Sequence, residues 1–127
     1  MEINNKKYNS SQKELITKSI RKGNFDEEQI KLIYSTLNSL NESQINRLVN
    51  LDYNKHQLVE ILWGIAWNFS IDQLFIYADK KFDCNQMMVV RYCIDDGLTD
   101  EQIKYIANPK FDFIKMMDIK EKFKNEL

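Results

Sequence analysis

The sequence is poor in the residues that usually break or staple a chain, with one Pro, three Gly, two Cys and one His. So few Pro and Gly leave little material for hairpin turns or long loops, and favour helices joined by tight connections. Cys84 and Cys93 stand nine residues apart on what reads as one helix. That puts them about 13 Å apart along the axis, at 1.5 Å per residue, where a disulfide needs Cα atoms within roughly 7 Å. Both therefore read as free thiols, as expected in a reducing cytoplasm. His56 is not spaced with either Cys as zinc ligands are, and neither thiol has an adjacent base to activate it. A glycine-rich phosphate loop is also missing. Neither a metal, a cofactor nor an enzyme's nucleophile is expected. Charge is almost balanced, at −1 from 18 basic and 19 acidic side chains. This is neither the basic excess of a nucleic-acid binder nor the acidity of a DNA mimic. No apolar run approaches the roughly 20 residues that span a membrane. The polar start, Met1 to Asn9, lacks the apolar segment of a signal peptide, and residues 1–8 are expected to fray.

What the sequence does have is a repeated helix start. Phe82-Asp83 with Gln86-Met87 sets the pattern. Asp83 caps the first turn, Gln86 reaches back to the N–H of the cap residue, and Phe82 clasps Met87 across the turn. Copies begin at Phe25, Leu40, Tyr53, Phe69, Leu98 and Phe111, the last with Lys115 in place of Gln. A weaker copy, Tyr8-Asn9 with Gln12-Lys13, lacks the apolar fourth position. The starts at 25, 40, 53, 69, 82, 98 and 111 are separated by 15, 13, 16, 13, 16 and 13 residues. The alternation means a longer and a shorter helix in a unit of 28 to 29 residues, the signature of stacked helical repeats. With 43% hydrophobic and 12% aromatic residues the chain can bury a core.

The expected fold is therefore all-α, a short solenoid-like stack of seven to eight helices in alternating long and short pairs, forming one helical-repeat domain over residues 1–127. Gly23-Asn24 and Gly97 are expected as left-handed helix stops. In register down the stack come Ile33, Ile61 and Val90, then Leu37, Ile65 and Ile94, after the staple positions Ile30, Leu58 and Met87. A single helix cannot bury such a stripe, so the pairs must lean on one another. A second stripe holds Lys31 and Ser35, Val59 and Trp63, and Met88 and Tyr92, with Trp67 continuing the middle one. Two readings stand: these side chains pack between successive units, or they form a contact surface, since aromatic residues, Met and Arg are enriched at interfaces. Trp67 departs most from its equivalents and is the expected exposed anchor, followed by Arg91 and Tyr92. An apolar face left on the terminal unit would also give a route to a homodimer.

Tyr77-Ala78-Asp79-Lys80-Lys81-Phe82-Asp83-Cys84-Asn85-Gln86-Met87, Ile94-Asp95-Asp96-Gly97-Leu98 and Tyr105-Ile106-Ala107-Asn108-Pro109-Lys110-Phe111 carry a likeness. They resemble the tandem helical repeats of proteins borne by phages and conjugative elements of Gram-positive anaerobes, whose pattern reads Y-A-x-P-x-F-x-x-x-Q-M, then I-R-x-G-L. The likeness is best over Tyr77–Met117 and looser over Phe25–Asp79. Val90-Arg91 matches the I-R pair and Ile61-Leu62 departs from it. The resemblance implies a mobile-element origin and no catalytic residues. It also suggests a protein partner within host defence, such as a CRISPR effector, that the chain inhibits. The expected function is thus a cytoplasmic, non-enzymatic protein-binding module with Trp63, Trp67, Tyr92, Arg91 and Met88 at its interface. The alternative is a nucleic-acid-binding regulator using Lys6-Lys7 and the basic residues between Lys18 and Lys22.

Overall fold

The computed structural model describes residues 3–4 and 6–126. Among them are eight helices and no strand: α1 (Ser10–Gly23), α2 (Glu27–Ser39), α3 (Glu42–Leu48), α4 (Lys55–Ala66), α5 (Ile71–Tyr77), α6 (Cys84–Asp95), α7 (Asp100–Ile106) and α8 (Phe113–Asn125). The fold is all-α. Each helix begins where the repeated motif places it. Asn9, Asp26, Asn41, Asn54, Ser70, Asp83 and Thr99 are extended caps, and each side chain accepts from the backbone N–H three residues on. The Gln at that third position accepts the cap residue's own N–H in return. Two donors that a helix start leaves orphaned are satisfied each time. Asp112 caps α8 through the Lys115 N–H, and a Lys side chain has no acceptor to offer back.

Three of these helix ends depend on positive φ. Asn24 (φ 55), Asn68 (φ 64) and Gly97 (φ 80) follow α1, α4 and α6 in the left-handed region, which Asn tolerates better than other side-chain-bearing residues. Gly23, expected in the stop itself, closes α1 instead, and a Cβ there would run into the Phe25 ring. The turn after α2 is one residue shorter; Leu40 is extended and its N–H reaches Leu37 O at 3.4 Å. A second device joins each short helix to the next long one. Asn50, Asp79 and Asn108, at 29-residue spacing, each accept an N–H two residues on with the side chain. Their carbonyls accept from Tyr53, Phe82 and Phe111. Such Asx turns aim each aromatic residue ahead of its cap.

Packing follows the register read from the sequence. Ile33, Ile61, Val90, Leu37, Ile65, Ile94, Leu58 and Met87 are all buried, whereas the first staple position, Ile30, is half-buried. The long helices touch in order, α2 on α4, α4 on α6 and α6 on α8, while α4 also packs on α5, α6 on α7 and α3 on α5. Asp96, capping the C-terminal end of α6, is held by Lys120 (2.9 Å) and Lys124 (3.4 Å) of α8. Burial alone would raise its carboxyl, but the hydrogen bond and charge of Lys120, aided by Lys124, outweigh that and hold it below the usual range. Helix α1 breaks the neighbour-to-neighbour order, because its main partner is α4. Its inward face is Gln12, Ile16, Ser19 and Gly23, and two of these are small enough to permit close approach.

The expectation of a frayed start is corrected by Tyr8. Its ring is 2% exposed and its hydroxyl donates to Leu37 O at 2.6 Å. The Asn4 N–H donates to Asn38 Oδ1, and Lys7 Nζ to the carbonyls of Asn38 and Leu40. An aromatic ring that can be buried with its hydroxyl satisfied outweighs the polarity of its neighbours. Met1, Glu2 and Asn5 of that segment lie outside the described residues.

Candidate functional site

The aromatic candidates converge where α4 and α6 lie side by side. Trp63 is on the outward side of α4, and Trp67 is the residue that ends it. The left-handed Asn68 then turns the chain so that Phe69 comes back beside Trp67, with ring centres 6.0 Å apart. Trp63 lies 4.5 Å from Phe25 and 6.1 Å from Trp67, and Trp67 lies 6.1 Å from Tyr92 on α6. Five rings thus form one continuous strip running from the start of α2 across α4 to α6.

Arg91 holds the strip together. Its guanidinium carbon is 4.4 Å from the Trp67 ring centre, 4.9 Å from Tyr92 and 5.9 Å from Trp63. Its Nε donates to Glu60 Oε2 at 2.9 Å, in a pair whose side chains are only 7% and 15% exposed. Burial pushes the Glu60 carboxyl above its ordinary range, and the charge and hydrogen bond of Arg91 offset part of that push. Two corrections follow. Arg91, expected on the contact surface, is a buried strut, because the carboxylate and three rings around its guanidinium offset the cost of taking that charge out of water. Trp67, expected as the exposed anchor, is half-buried by Arg91, Trp63, Phe69 and Tyr92. Tyr92, at 41% exposed, is the ring of the strip most open to solvent. Trp63 and Met88 are half-buried, so both readings of the second stripe hold in part.

Glu60 did not enter the sequence reading. Its signal was available: it is the only charged residue between His56 and Trp67 on the most apolar helix, and a buried charge requires a partner. The backbone around it is fixed from the other side. Tyr77 on α5 is fully buried and its hydroxyl donates to Glu60 O at 2.9 Å; burial raises its pKa. Gly64 leaves the space for it, since a Cβ there would collide with the Tyr77 hydroxyl and Leu74.

The glutamines do more than cap. Gln57 Nε2 donates to Phe82 O at 2.8 Å, and Gln86 Nε2 to Phe111 O at 2.8 Å and Pro109 O at 3.2 Å. In both cases the amide oxygen closes its own helix start while the nitrogen grips the next unit 25 residues on. Glu would close a capping box equally well but has no N–H to donate. Gln at every N3 position from α1 to α7 was the legible clue.

Elsewhere the reactive side chains are ordinary. Cys93 is buried and its thiol is pushed up to about 12, chiefly by burial; Cys84 is half-buried. His56 is exposed. Among the described residues, no three His, Cys, Asp or Glu side chains are grouped to hold a metal ion, and no helix is long and apolar enough to cross a membrane. No protein-family model, curated protein or solved structure matches the chain.

Proposed function

We propose that the chain is a non-enzymatic binding module, a short stack of helix pairs that engages another protein through the strip centred on Tyr92 and Trp67. The observation that carries this is the combination of an open tyrosine with a buried Arg91–Glu60 pair beneath it. Aromatic anchors bind tightly when their rotamers are fixed beforehand, because less ordering entropy is lost on association. Arg91, packed against three rings, supplies that rigidity here. The partner we favour is a host defence protein, such as a CRISPR effector, that the chain inhibits; this rests on the resemblance of its repeats. The test is interference against a targeted plasmid in cells expressing the chain or its Tyr92→Ala variant. Loss of interference with the native chain, restored by Tyr92→Ala, is the expected result. Unchanged interference, together with bait experiments that return only chaperones, would overturn it.

A second reading, a nucleic-acid-binding regulator, is favoured by one observation. Lys18, Arg21 and Lys22 of α1 share a groove with Lys55 at the start of α4. Lys18 is already paired with Glu14 at 2.9 Å. Absence of any gel shift at low salt, where phosphate contacts are strongest, would dismiss this reading.

A further inference from the structure

The short helices form two seams, and an arginine bridges the first. Arg47 of α3 reaches the C-terminal end of α5, where Nη2 donates to Phe75 O at 2.7 Å and Nε to Ala78 O at 3.4 Å. Its guanidinium carbon lies 4.4 Å from the Phe75 ring centre. One unit later, 29 residues on, Arg47 corresponds to Ile76, and the acceptors Phe75 and Ala78 correspond to Lys104 and Ala107. Ile76 has nothing to donate. Helices α3 and α5 touch along the first seam, and α5 and α7 touch less. The second seam is an open groove of about 730 Å³ whose lining includes Phe75, Ile76, Lys104, Ala107 and the carboxylates of Asp72 and Asp100.

We propose that this groove takes an arginine-bearing segment of a partner protein, its guanidinium lodged at the end of α7 as Arg47 is lodged on α5. The last carbonyls of a helix lack intrahelical donors and carry partial negative charge, which suits a cation. Asp72 and Asp100, in the first turns of α5 and α7, make the groove net negative against the single ammonium of Lys104, but they stand at its far end, about 10 Å along α7 at 1.5 Å per residue. Phe75 and Ile76 offer an apolar wall for the methylene stem. Arginine fits better than lysine because a planar fork can serve two carbonyls at once, as Arg47 does. This surface is separate from the aromatic strip and does not depend on it.

The experiment is a backbone-amide NMR titration of the whole chain with N-acetyl-arginine amide, set against the lysine and norleucine amides. The arginine probe should give saturable shifts concentrated in Phe75–Ile76 and Lys104–Asn108. Asp72→Asn with Asp100→Asn, at exposed positions a helix length from the site, should weaken it by no more than about twofold. Ile76→Arg should fill the seam from within and abolish the response. Equal shifts from norleucine amide would mean a merely apolar surface. Concentration-dependent shifts without probe would mean that a second copy occupies the groove. Either result, or no saturable shift in these residues, overturns the proposal.

Discussion

Arg91 and Arg47 make the same kinds of contact in two different settings. Each lies over an aromatic ring at 4.4 Å and donates to an acceptor on a neighbouring helix. Arg91 joins two long helices and is buried with a carboxylate, whereas Arg47 joins two short ones at the surface and uses carbonyls. The difference teaches that local chemistry does not set the worth of a contact. Removing water around Arg91 leaves its charge dependent on Glu60 as counter-charge, while Arg47 can always be solvated.

The sharpest way to break the comparison is Arg91→Ala, which leaves Glu60 buried without its partner. It should cost about 3–5 kcal/mol in denaturant unfolding, whereas Arg91→Met combined with Glu60→Leu should recover most of the loss. Equal costs for the single and double variants would show that the pair's charges do not govern this region. Next comes Gly64→Ala, expected to cost about 1–3 kcal/mol by overpacking against Tyr77; a Tm unchanged from the parent would contradict the tight fit. Gln86→Glu keeps the capping acceptor but deletes the donor to Phe111 and Pro109, for a loss of about 1–3 kcal/mol. The same exchange at Gln73, where the bonds described stay within the capping box, should stay within about 0.5 kcal/mol. Similar losses at both sites, measured by thermal unfolding, would remove the second role assigned to Gln86. The smallest effect belongs to Arg47→Ala, about 1 kcal/mol or less, as for other exposed charged contacts. A larger loss would mean that the first short-helix seam is worth more than its exposure suggests.

Much of the fold was legible because its signals are local. A cap, a Gln three residues later and an apolar clasp lie within one turn, so Asp26, Asn54 and Asp83 announce their helices without knowledge of anything distant. The Asx turns at Asn50, Asp79 and Asn108 were equally local and went unread, although their spacing was regular. The site was less legible. Trp63, Trp67 and Tyr92 were singled out and do come together, but whether each faced solvent depended on what lay over it. Arg91 was misplaced for that reason, since nothing near it in sequence reveals Glu60, 31 residues earlier.

The sequence by itself determined where each helix starts, which stripe turns inward and how long the unit is, because backbone hydrogen bonds and periodicity are settled within a few residues. Tertiary structure alone decided that α1 lies on α4, that Glu60 meets Arg91, and that an arginine bridges one seam between short helices and not the next. Those outcomes turn on which side chains meet across 25 or more residues of chain, and burial, which sets their energies, exists only once they have met.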